Sequence, residues 1–292
     1  MPDMTGKTCL VTGANQGIGK ETALALARLG ATVVMTSRDL AKGEAALADV
    51  RSRSGGDVEL MIADFGSFAS IRKLAADFKA KHPRLDVLVN NAGAILLRRS
   101  ETEDGFETTF GVNHLGYFLL TNLLLDVLKA SAPARIVNVS SRAHLGVKMD
   151  FDNLNSTRGR YSAMGVYSRS KLGNVLFTYE LARRLAGTGV TANCVHPGVV
   201  RSGFGKNNPG LGRLVFQTFQ VVARPFILSP EKGAATSIYV ASCPELEGVT
   251  GKYFVDCREK PSSPASYDEE AQRRLWEISE QMCGVGAGVA DA

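Results

Sequence analysis

The chain has 292 residues, of which 45% are hydrophobic, an ordinary fraction for a globular protein that buries a full core. It has no Pro/Ser-rich linker, internal repeat or long charge run, so we expect one domain rather than two. The 34 basic and 29 acidic residues leave a net charge of +5 that is spread along the chain. Scattered charge of this size disfavours nucleic acid as a partner, while a weak positive field suits an anionic cofactor.

Residue types that bind metals or form disulfides are sparse. The five cysteines are an odd number without a C-x-x-C pair, and the four histidines have no H-x-x-x-H spacing. We therefore expect neither a disulfide framework nor a metal site, and a reducing compartment fits. The polar residues 1–7 contain no signal peptide or membrane anchor, so we predict a cytoplasmic protein with no integral membrane segment.

The first motif is a glycine-rich turn between a strand and a helix. The apolar run 8–12 predicts a buried strand, and residues 20–29 have a helical pattern. Between them Gly13, Gly17 and Gly19 have a G-x-x-x-G-x-G spacing, which differs from the general G-x-G-x-x-G fingerprint. Such a turn could serve packing alone. Its position favours cofactor binding, because backbone N–H groups and a helix N-terminus would face a pyrophosphate.

The second predicted strand, residues 31–36, ends where a dinucleotide-binding fold selects its cofactor. An acidic residue there binds the ribose of NAD, whereas an arginine accommodates the 2′-phosphate of NADP. Arg38 stands at this strand end and favours NADP. Asp39 is the competing observation, and we interpret it as the N-cap of a helix over 40–51. Arg38 could also be an ordinary surface arginine.

Alternating strands and helices continue along the chain, with predicted strands at 58–63 and 86–90 on either side of a helix at 68–81. This alternation predicts an α/β fold, a doubly wound parallel sheet with right-handed crossovers. In such sheets the ligand binds beyond the carboxyl ends of the strands. Asp64 and residues 90–93 fall at two of those ends, where they could be structural, contact a cofactor, or do both.

Two further polar positions lie in the middle of the chain. Residues 104–129 predict a long helix that carries Asn113 among apolar neighbours, so its amide either points outward or needs buried partners. A fifth strand at 135–141 ends in the serine pair 140–141, which could be plain strand terminators. A sixth strand is predicted at 191–195.

Tyr167 and Lys171 are four residues apart and lie on the same face of a predicted helix, whose apolar stripe continues downstream. An ammonium group close to a phenol favours the phenolate, so we expect the Tyr167 pKa to lie below its usual value of about 10. This would make Tyr167 a proton donor and acceptor near neutral pH. The alternative is a surface helix that carries two amphipathic side chains.

Together these motifs resemble the short-chain dehydrogenase/reductase family in its classical form. They occur in family order over residues 5–260: the glycine turn, Asp64, residues 90–93, Asn113, the serine pair, Tyr167 with Lys171, and Pro197-Gly198. More narrowly, the chain resembles the retinol dehydrogenase branch at residues 37–39, 112–116, 168–177, 196–202 and 251–257. The resemblance implies a Rossmann fold in one NADP-binding catalytic domain over residues 1–292.

The resemblance also implies roles for individual residues. Tyr167 would exchange the proton, while Lys171 would bind the nicotinamide ribose. Ser141 would hydrogen-bond the substrate oxygen, and Asn113 would hold a water that links Lys171 to solvent. Besides Tyr167 and Lys171, the residues that would contact the cofactor are Gly13, Asn15, Gln16, Gly17, Ile18, Gly19, Arg38, Asp64, Phe65, Asn91, Ala92, Gly93, Pro197, Gly198, Val200 and Ser202.

Three segments and a subunit interface complete the expected architecture. The stretch 142–165 is longer than usual in the family, and either covers the active-site mouth or is a decorative insertion. Residues 203–228 begin with glycines and carry apolar bulk, so we expect a helical lid over an apolar substrate, with a membrane-surface patch or dimer contact as alternatives. Residues 284–292 are expected to be a disordered tail. A homodimer or homotetramer could form through the predicted helices at 104–129 and 167–186.

The implied function is NADP(H)-dependent hydride transfer that interconverts a lipophilic aldehyde or ketone and its alcohol. The alternative is a non-catalytic NADP-binding sensor or scaffold. Such a protein would need only the glycine turn and none of the other motifs. A Rossmann-like methyltransferase would explain the glycines, but it would leave Tyr167, Lys171 and Arg38 without a role.

Overall fold

A computed structural model describes residues 2–200 and 228–285. Three predictions fall wholly or mostly on the remaining residues: the cofactor contact of Ser202, the lid at 203–228 and the tail at 284–292. They lie outside the described residues and stay predictions. Within the described ranges, no helix is long and apolar enough to cross a membrane.

One sheet contains the eight strands of the described residues: β1 (Thr8–Val11), β2 (Thr32–Ser37), β3 (Val58–Ile62), β4 (Val87–Asn90), β5 (Ala134–Val139), β6 (Val190–His196), β7 (Tyr253–Val255) and β8 (Arg258–Glu259). Their spatial order is β3-β2-β1-β4-β5-β6-β7-β8. Every neighbouring pair is parallel except β7 with β8. The order reverses between β1 and β4, which is the switch point where such folds bind ligands.

The helices of the described residues are α1 (Gly17–Arg28), α2 (Leu40–Ser54), α3 (Phe68–Lys81), α4 (Thr108–Phe110), α5 (Gly116–Leu123), α6 (Leu125–Ala130), α7 (Ala163–Arg184), α8 (Pro230–Ser242) and α9 (Glu269–Cys283). Strand β1 illustrates how they cover the sheet on both faces. Leu10 packs in one apolar cluster with residues of α3, α5 and α7, whereas Cys9 and Val11 pack in another with residues of α1 and α8. All three side chains are fully buried. The predicted doubly wound parallel sheet is confirmed.

The predicted long helix at 104–129 is wrong in its start and in its continuity. Gly105 adopts a φ of +81° in a turn, and the Glu107 carboxylate then caps α4 by accepting two of its N–H groups at 2.9 and 2.7 Å. A single π-helical turn, Gly111–Leu115, separates α4 from α5, and Leu124 separates α5 from α6. The hydrophobic periodicity continues through these breaks, because the same face stays buried. The pattern therefore predicts one helix where the backbone forms three short helices joined by a π-helical turn and by Leu124.

Helix α9, which the sequence analysis missed, packs over two helices of the main fold. The Trp276 ring lies 4.9 Å from the Phe118 ring on α5 and 5.7 Å from the Phe177 ring on α7, measured between centroids. These are the helices that we expected to form a subunit interface. The face that carries Phe118 and Phe177 is therefore covered from within the chain. The predicted subunit interface stays a prediction. Helix α8 and strands β7 and β8 are likewise not predicted by the sequence patterns.

The extended stretch 142–165 is attached to the body of the protein. Leu154 is buried, and Tyr161 packs against the same apolar cluster. The Tyr161 hydroxyl contacts the Glu107 carboxylate at 3.0 Å and the backbone oxygen of Leu96 at 3.1 Å. These contacts argue against a purely decorative insertion, and a role in covering the substrate stays a prediction.

Candidate active site

The predicted acid–base pair lies on α7, which begins after Ser162, whose hydroxyl accepts the Gly165 N–H as an N-cap. Lys171 follows Tyr167 by one helical turn, and its Nζ atom lies 5.8 Å from the centroid of the Tyr167 ring. Lys171 is 3% exposed, so its ammonium group is almost fully removed from water. The two side chains thus share one face of the helix, as the spacing predicts, with Lys171 buried and Tyr167 half-buried.

The Lys171 ammonium group is fixed by the end of the neighbouring strand. Its Nζ donates a hydrogen bond of 3.0 Å to the backbone oxygen of Val139, at the carboxyl end of β5. The Asn174 amide donates to the same oxygen at 3.1 Å. Asn174 belongs to the branch motif at 168–177, for which the sequence indicates no individual role. Here it shares the acceptor of Lys171 and helps to hold that strand end against α7.

The two serines after β5 have different surroundings. Ser140 is buried, and its hydroxyl donates to the backbone oxygen of Lys171 at 2.7 Å, which ties β5 to α7. Ser141 is partly exposed, and its hydroxyl makes a hydrogen bond with the Tyr167 side chain. Ser141 is therefore the serine that lies beside the tyrosine, in the position that the resemblance implies for the catalytic one.

The expected direction of the Tyr167 pKa shift is wrong. Burial raises the pKa of Tyr167 to about 12, and the Ser141 hydrogen bond opposes this shift only in part. Burial also lowers the pKa of Lys171 to about 8. Both shifts have the same cause, since a site with little water disfavours the phenolate and the ammonium alike. At neutral pH the site therefore contains a neutral tyrosine beside a lysine that is still mostly charged.

Asn113 lies in the π-helical turn and is fully buried. Its Oδ1 accepts the Ala94 N–H at 2.7 Å, and its Nδ2 donates to the Ala94 oxygen at 2.9 Å and to the Ser170 hydroxyl at 3.1 Å. The amide thus joins the loop after β4 to α7, one residue before Lys171. The expectation of buried partners is confirmed, and the bridging water stays a prediction.

The glycine turn packs tightly against the loop after β4. A Cβ on Gly19 would lie 2.4 Å from the Asn91 Nδ2 atom, and a Cβ on Gly13 would lie 2.8 Å from the Cα of Ala92. Gly13 and Gly17 also have positive φ angles of 63° and 59°, which side chains rarely adopt. The glycines therefore serve packing and backbone conformation, whatever else they do.

The turn also fits the diphosphate of a dinucleotide. Helix α1 begins at Gly17, three residues earlier than predicted, and the preceding Gln16 side chain makes no capping hydrogen bond among the described residues. The first N–H groups of α1 therefore stay available to an anion. Gln16 is exposed, while Asn15 and Ile18 are partly exposed, so the turn presents these residues at the surface.

Of the two asparagines after β4, Asn91 supports the turn. Its N–H and that of Ala92 both donate to the Thr12 hydroxyl, at 2.8 and 3.0 Å, and its Nδ2 donates to the Thr12 oxygen at 2.8 Å. Asn90 is fully buried, and its amide donates to the Asn138 side chain at 2.9 Å. Asn90 is therefore a structural tie between β4 and β5. Gly93 is exposed beyond this point.

The residues that we expect to select the cofactor follow β2 and β3. Arg38 is exposed, and its Nε atom lies 4.0 Å from the Asp64 Oδ2 atom. Asp39 caps α2, as predicted: its carboxylate accepts the Lys42 N–H at 3.0 Å and contacts the Lys42 ammonium at 2.7 Å. The Phe65 side chain is buried in the core, so only its backbone is free to contact a ligand.

The segment after β6 packs against Leu228 and the start of α8. Gly198 has a φ of +83°, and a Cβ there would lie 2.5 Å from the Leu228 side chain. Val200 forms an isolated parallel bridge with Leu228, and a Cβ on Gly233 would lie 2.4 Å from the Val200 side chain. Pro197, Gly198 and Val200 are thus held between β6 and α8, near the start of α1.

Comparisons with known proteins agree with this geometry. A family model described as short chain dehydrogenase matches residues 7–209. Human retinol dehydrogenase 14 is 49% identical to this chain, over 97% of it and 88% of the relative's length. Human retinol dehydrogenase 13 is 48% identical, over 97% of this chain and 86% of its own.

Solved structures with a similar fold agree with these sequence comparisons. An uncharacterised protein from Mycobacterium paratuberculosis is similar with a TM-score of 0.76 and 35% identity, covering 97% of this chain and 96% of that one. The Pseudomonas aeruginosa RhlG/NADP active-site complex is similar with a TM-score of 0.68 and 25% identity, covering 91% and 98% respectively.

The chain therefore belongs to the short-chain dehydrogenase/reductase family, and it is an oxidoreductase of the kind that uses a nicotinamide cofactor. Within that family it lies in the retinol dehydrogenase-like branch, as its sequence motifs predict.

Proposed function

We propose that the protein is an NADP(H)-dependent oxidoreductase that interconverts a lipophilic aldehyde or ketone and its alcohol. The observation that carries the proposal is the hydrogen bond between Tyr167 and Ser141, beside the buried Lys171 ammonium. This group lies at the carboxyl edge of the sheet, the same edge at which the glycine turn follows β1. A proton donor, a second hydroxyl and a fixed cation at one edge are what carbonyl reduction needs from the protein.

The pKa values of the pair support a reaction that protonates a carbonyl oxygen. With a pKa of about 12, Tyr167 carries its proton at neutral pH and can donate it to an alkoxide. Ser141 can donate a hydrogen bond to the same oxygen, while Lys171, with a pKa of about 8, supplies positive charge. Bound NADPH would supply the hydride, and the side chains supply orientation and electrostatics.

The surroundings of Arg38 support NADP rather than NAD. Asp39 is the acid that could bind an NAD ribose, but its carboxylate is engaged by Lys42 and by the start of α2. The neighbouring Arg38 side chain is 61% exposed, and its contact with Asp64 is long, at 4.0 Å. Its guanidinium group is therefore accessible to a phosphate. An accessible cation beside an engaged acid favours the 2′-phosphate.

Exposed apolar side chains near the catalytic residues support a lipophilic substrate. Leu145, Met164 and Val199 are 45%, 58% and 59% exposed, and they come from the segment after Ser141, the start of α7 and the segment after β6. The relatives described above carry the name retinol dehydrogenase, which agrees with such a substrate. All five cysteines are free, which supports a reducing compartment such as the cytoplasm.

The test measures NADPH oxidation with a series of aldehydes and ketones of increasing apolar size, retinal included. We expect turnover that improves with apolar size. Tyr167→Phe should lower kcat by about a hundredfold or more, because the proton donor is lost, and leave NADPH affinity unchanged. If the variant loses NADPH binding as well, Tyr167 is a structural residue. Tight NADPH binding with no turnover on any substrate would favour the non-catalytic sensor instead.

A further inference from the structure

The peptide group that joins Ser141 to Arg142 contacts two buried imidazole rings. The backbone oxygen of Ser141 lies 2.6 Å from His144 Nδ1, and the backbone N–H of Arg142 donates to His196 Nδ1 at 3.2 Å. Each polar atom of this one peptide group therefore has a histidine partner. His144 is fully buried and His196 is 4% exposed, so water does not compete for these contacts.

The hydrogen bonds determine the tautomer of each ring. His144 Nε2 accepts the Ser263 N–H at 3.1 Å, so this nitrogen carries no proton and the ring proton lies on Nδ1. His144 Nδ1 then donates to the Ser141 oxygen. His196 Nδ1 accepts from Arg142, so its proton lies on Nε2.

Both rings need to be neutral to make these contacts, and their surroundings favour the neutral form. Burial lowers the pKa of His144, and burial together with the Arg142 charge lowers the pKa of His196 to about 4. The edge of the Tyr253 ring packs against His144 at 5.0 Å between centroids, which adds apolar surface on that side. The opposing influence of Asp256 on His196 is the smaller one.

We propose that His144 and His196 are positioning residues that fix the Ser141–Arg142 peptide group and so aim the Ser141 hydroxyl at Tyr167. We call this pair the histidine clamp. Neither ring touches the reacting atoms in this role. The proposal rests on the proposed function, since it gives Ser141 the task of binding the substrate oxygen.

The histidine clamp also connects the catalytic serine to the C-terminal part of the chain. Ser263, which donates to His144, directly precedes the short 3₁₀ helix Pro264–Tyr267 that leads into α9. Helix α9 in turn packs on α7, which carries Tyr167. One C-terminal unit thus contacts both His144 and the helix that carries Tyr167.

Two substitutions at His144 separate the contacts that the clamp combines. An asparagine amide places a donor near the position of Nδ1, so His144→Asn keeps the bond to the Ser141 oxygen and loses the one to Ser263. A glutamine amide reaches the position of Nε2, so His144→Gln does the reverse. We expect His144→Gln to lower kcat by about tenfold to a hundredfold, the cost of a misplaced catalytic group, with the KM for NADPH unchanged.

His144→Asn should have a kcat within about threefold of wild type, because it keeps the contact to the Ser141 oxygen. At the other ring, His196→Asn keeps an acceptor near Nδ1 and should be far more active than His196→Leu. His82→Gln is the matched control: this buried histidine contacts Glu59 away from the site, and its loss should leave kcat unchanged. Equal kcat values for His144→Asn and His144→Gln, with both variants folded, would overturn the proposal.

Ring-nitrogen NMR of the wild-type protein tests the clamp without any variant or activity. We expect two neutral histidines of opposite tautomer at about pH 6, with the proton on Nδ1 of His144 and on Nε2 of His196. A charged ring or the opposite tautomers would refute the clamp. If the tautomers are as expected but no carbonyl compound is turned over, the proposed function fails and the geometry of the clamp stands.

Discussion

Truncation of Asn113 to alanine is expected to destabilise the protein and disturb the active site together. The substitution removes three hydrogen bonds: the Ala94 N–H to Oδ1, and Nδ2 to the Ala94 oxygen and to the Ser170 hydroxyl. At about 1 kcal/mol of net stability for each bond, the loss is about 3 kcal/mol. The Ser170 hydroxyl also donates to the Tyr167 backbone oxygen at 2.7 Å, so the turn of α7 that carries Tyr167 loses a support.

Urea unfolding, followed by the fluorescence of Trp276, measures this loss. Trp276 is the only tryptophan of the chain and is buried against Phe118 and Phe177, so its emission reports unfolding. Asn122→Ala is the matched control, because within residues 2–200 and 228–285 the Asn122 side chain makes one hydrogen bond, to the Phe118 oxygen at 2.8 Å. We expect about 1 kcal/mol for the control. If Asn113→Ala loses no more free energy of unfolding than Asn122→Ala, the amide is not the structural tie that its contacts indicate.

Two further predictions concern cofactor choice and pH. Arg38→Gln should lower kcat/KM for NADPH by about tenfold to a hundredfold, as expected for a lost charged hydrogen bond, and leave kcat/KM for NADH unchanged. Substitution of the exposed Arg28 by glutamine is the control and should change neither value. Equal losses with both cofactors would contradict a contact with the 2′-phosphate. Because burial lowers the pKa of Lys171 to about 8, its ammonium form is present below that pH and is lost as the pH rises through it. The rate of carbonyl reduction should therefore be level from about pH 6 and fall above about pH 8, and a level profile to about pH 10 would remove the lysine charge from the mechanism.

Local patterns were sufficient for those parts of the fold and site that depend on neighbouring residues. The strand positions near the glycine turn follow from short apolar runs, and the N-cap role of Asp39 follows from its place before a helical pattern. The shared face of Tyr167 and Lys171 follows from helical geometry alone. Each of these predictions needs information from one short stretch of the chain, which is why one sequence could supply it.

Features that depend on distant contacts were not predictable. Nothing in residues 90 and 91 says which asparagine is buried between strands and which supports the turn, because the difference arises from Thr12 and Asn138. The position of α9 depends on Trp276 meeting aromatic rings more than 90 residues earlier in the chain. A lone histidine such as His144 carries no signal until Ser263 lies beside it.

The Tyr167 pKa shows why the sign of an electrostatic effect needs the structure. The spacing of Tyr167 and Lys171 predicts an attraction between an ammonium and a phenolate, and this attraction lowers the pKa of the phenol. The spacing does not predict how far both groups are removed from water. Here this burial is the larger effect, and it raises the pKa of Tyr167 to about 12. The same loss of water brings the Lys171 pKa down to about 8, so the two groups resist ionisation together. A site of this kind keeps a transferable proton on Tyr167 at neutral pH, and the proton becomes easier to lose only as charge from a substrate or cofactor enters the site.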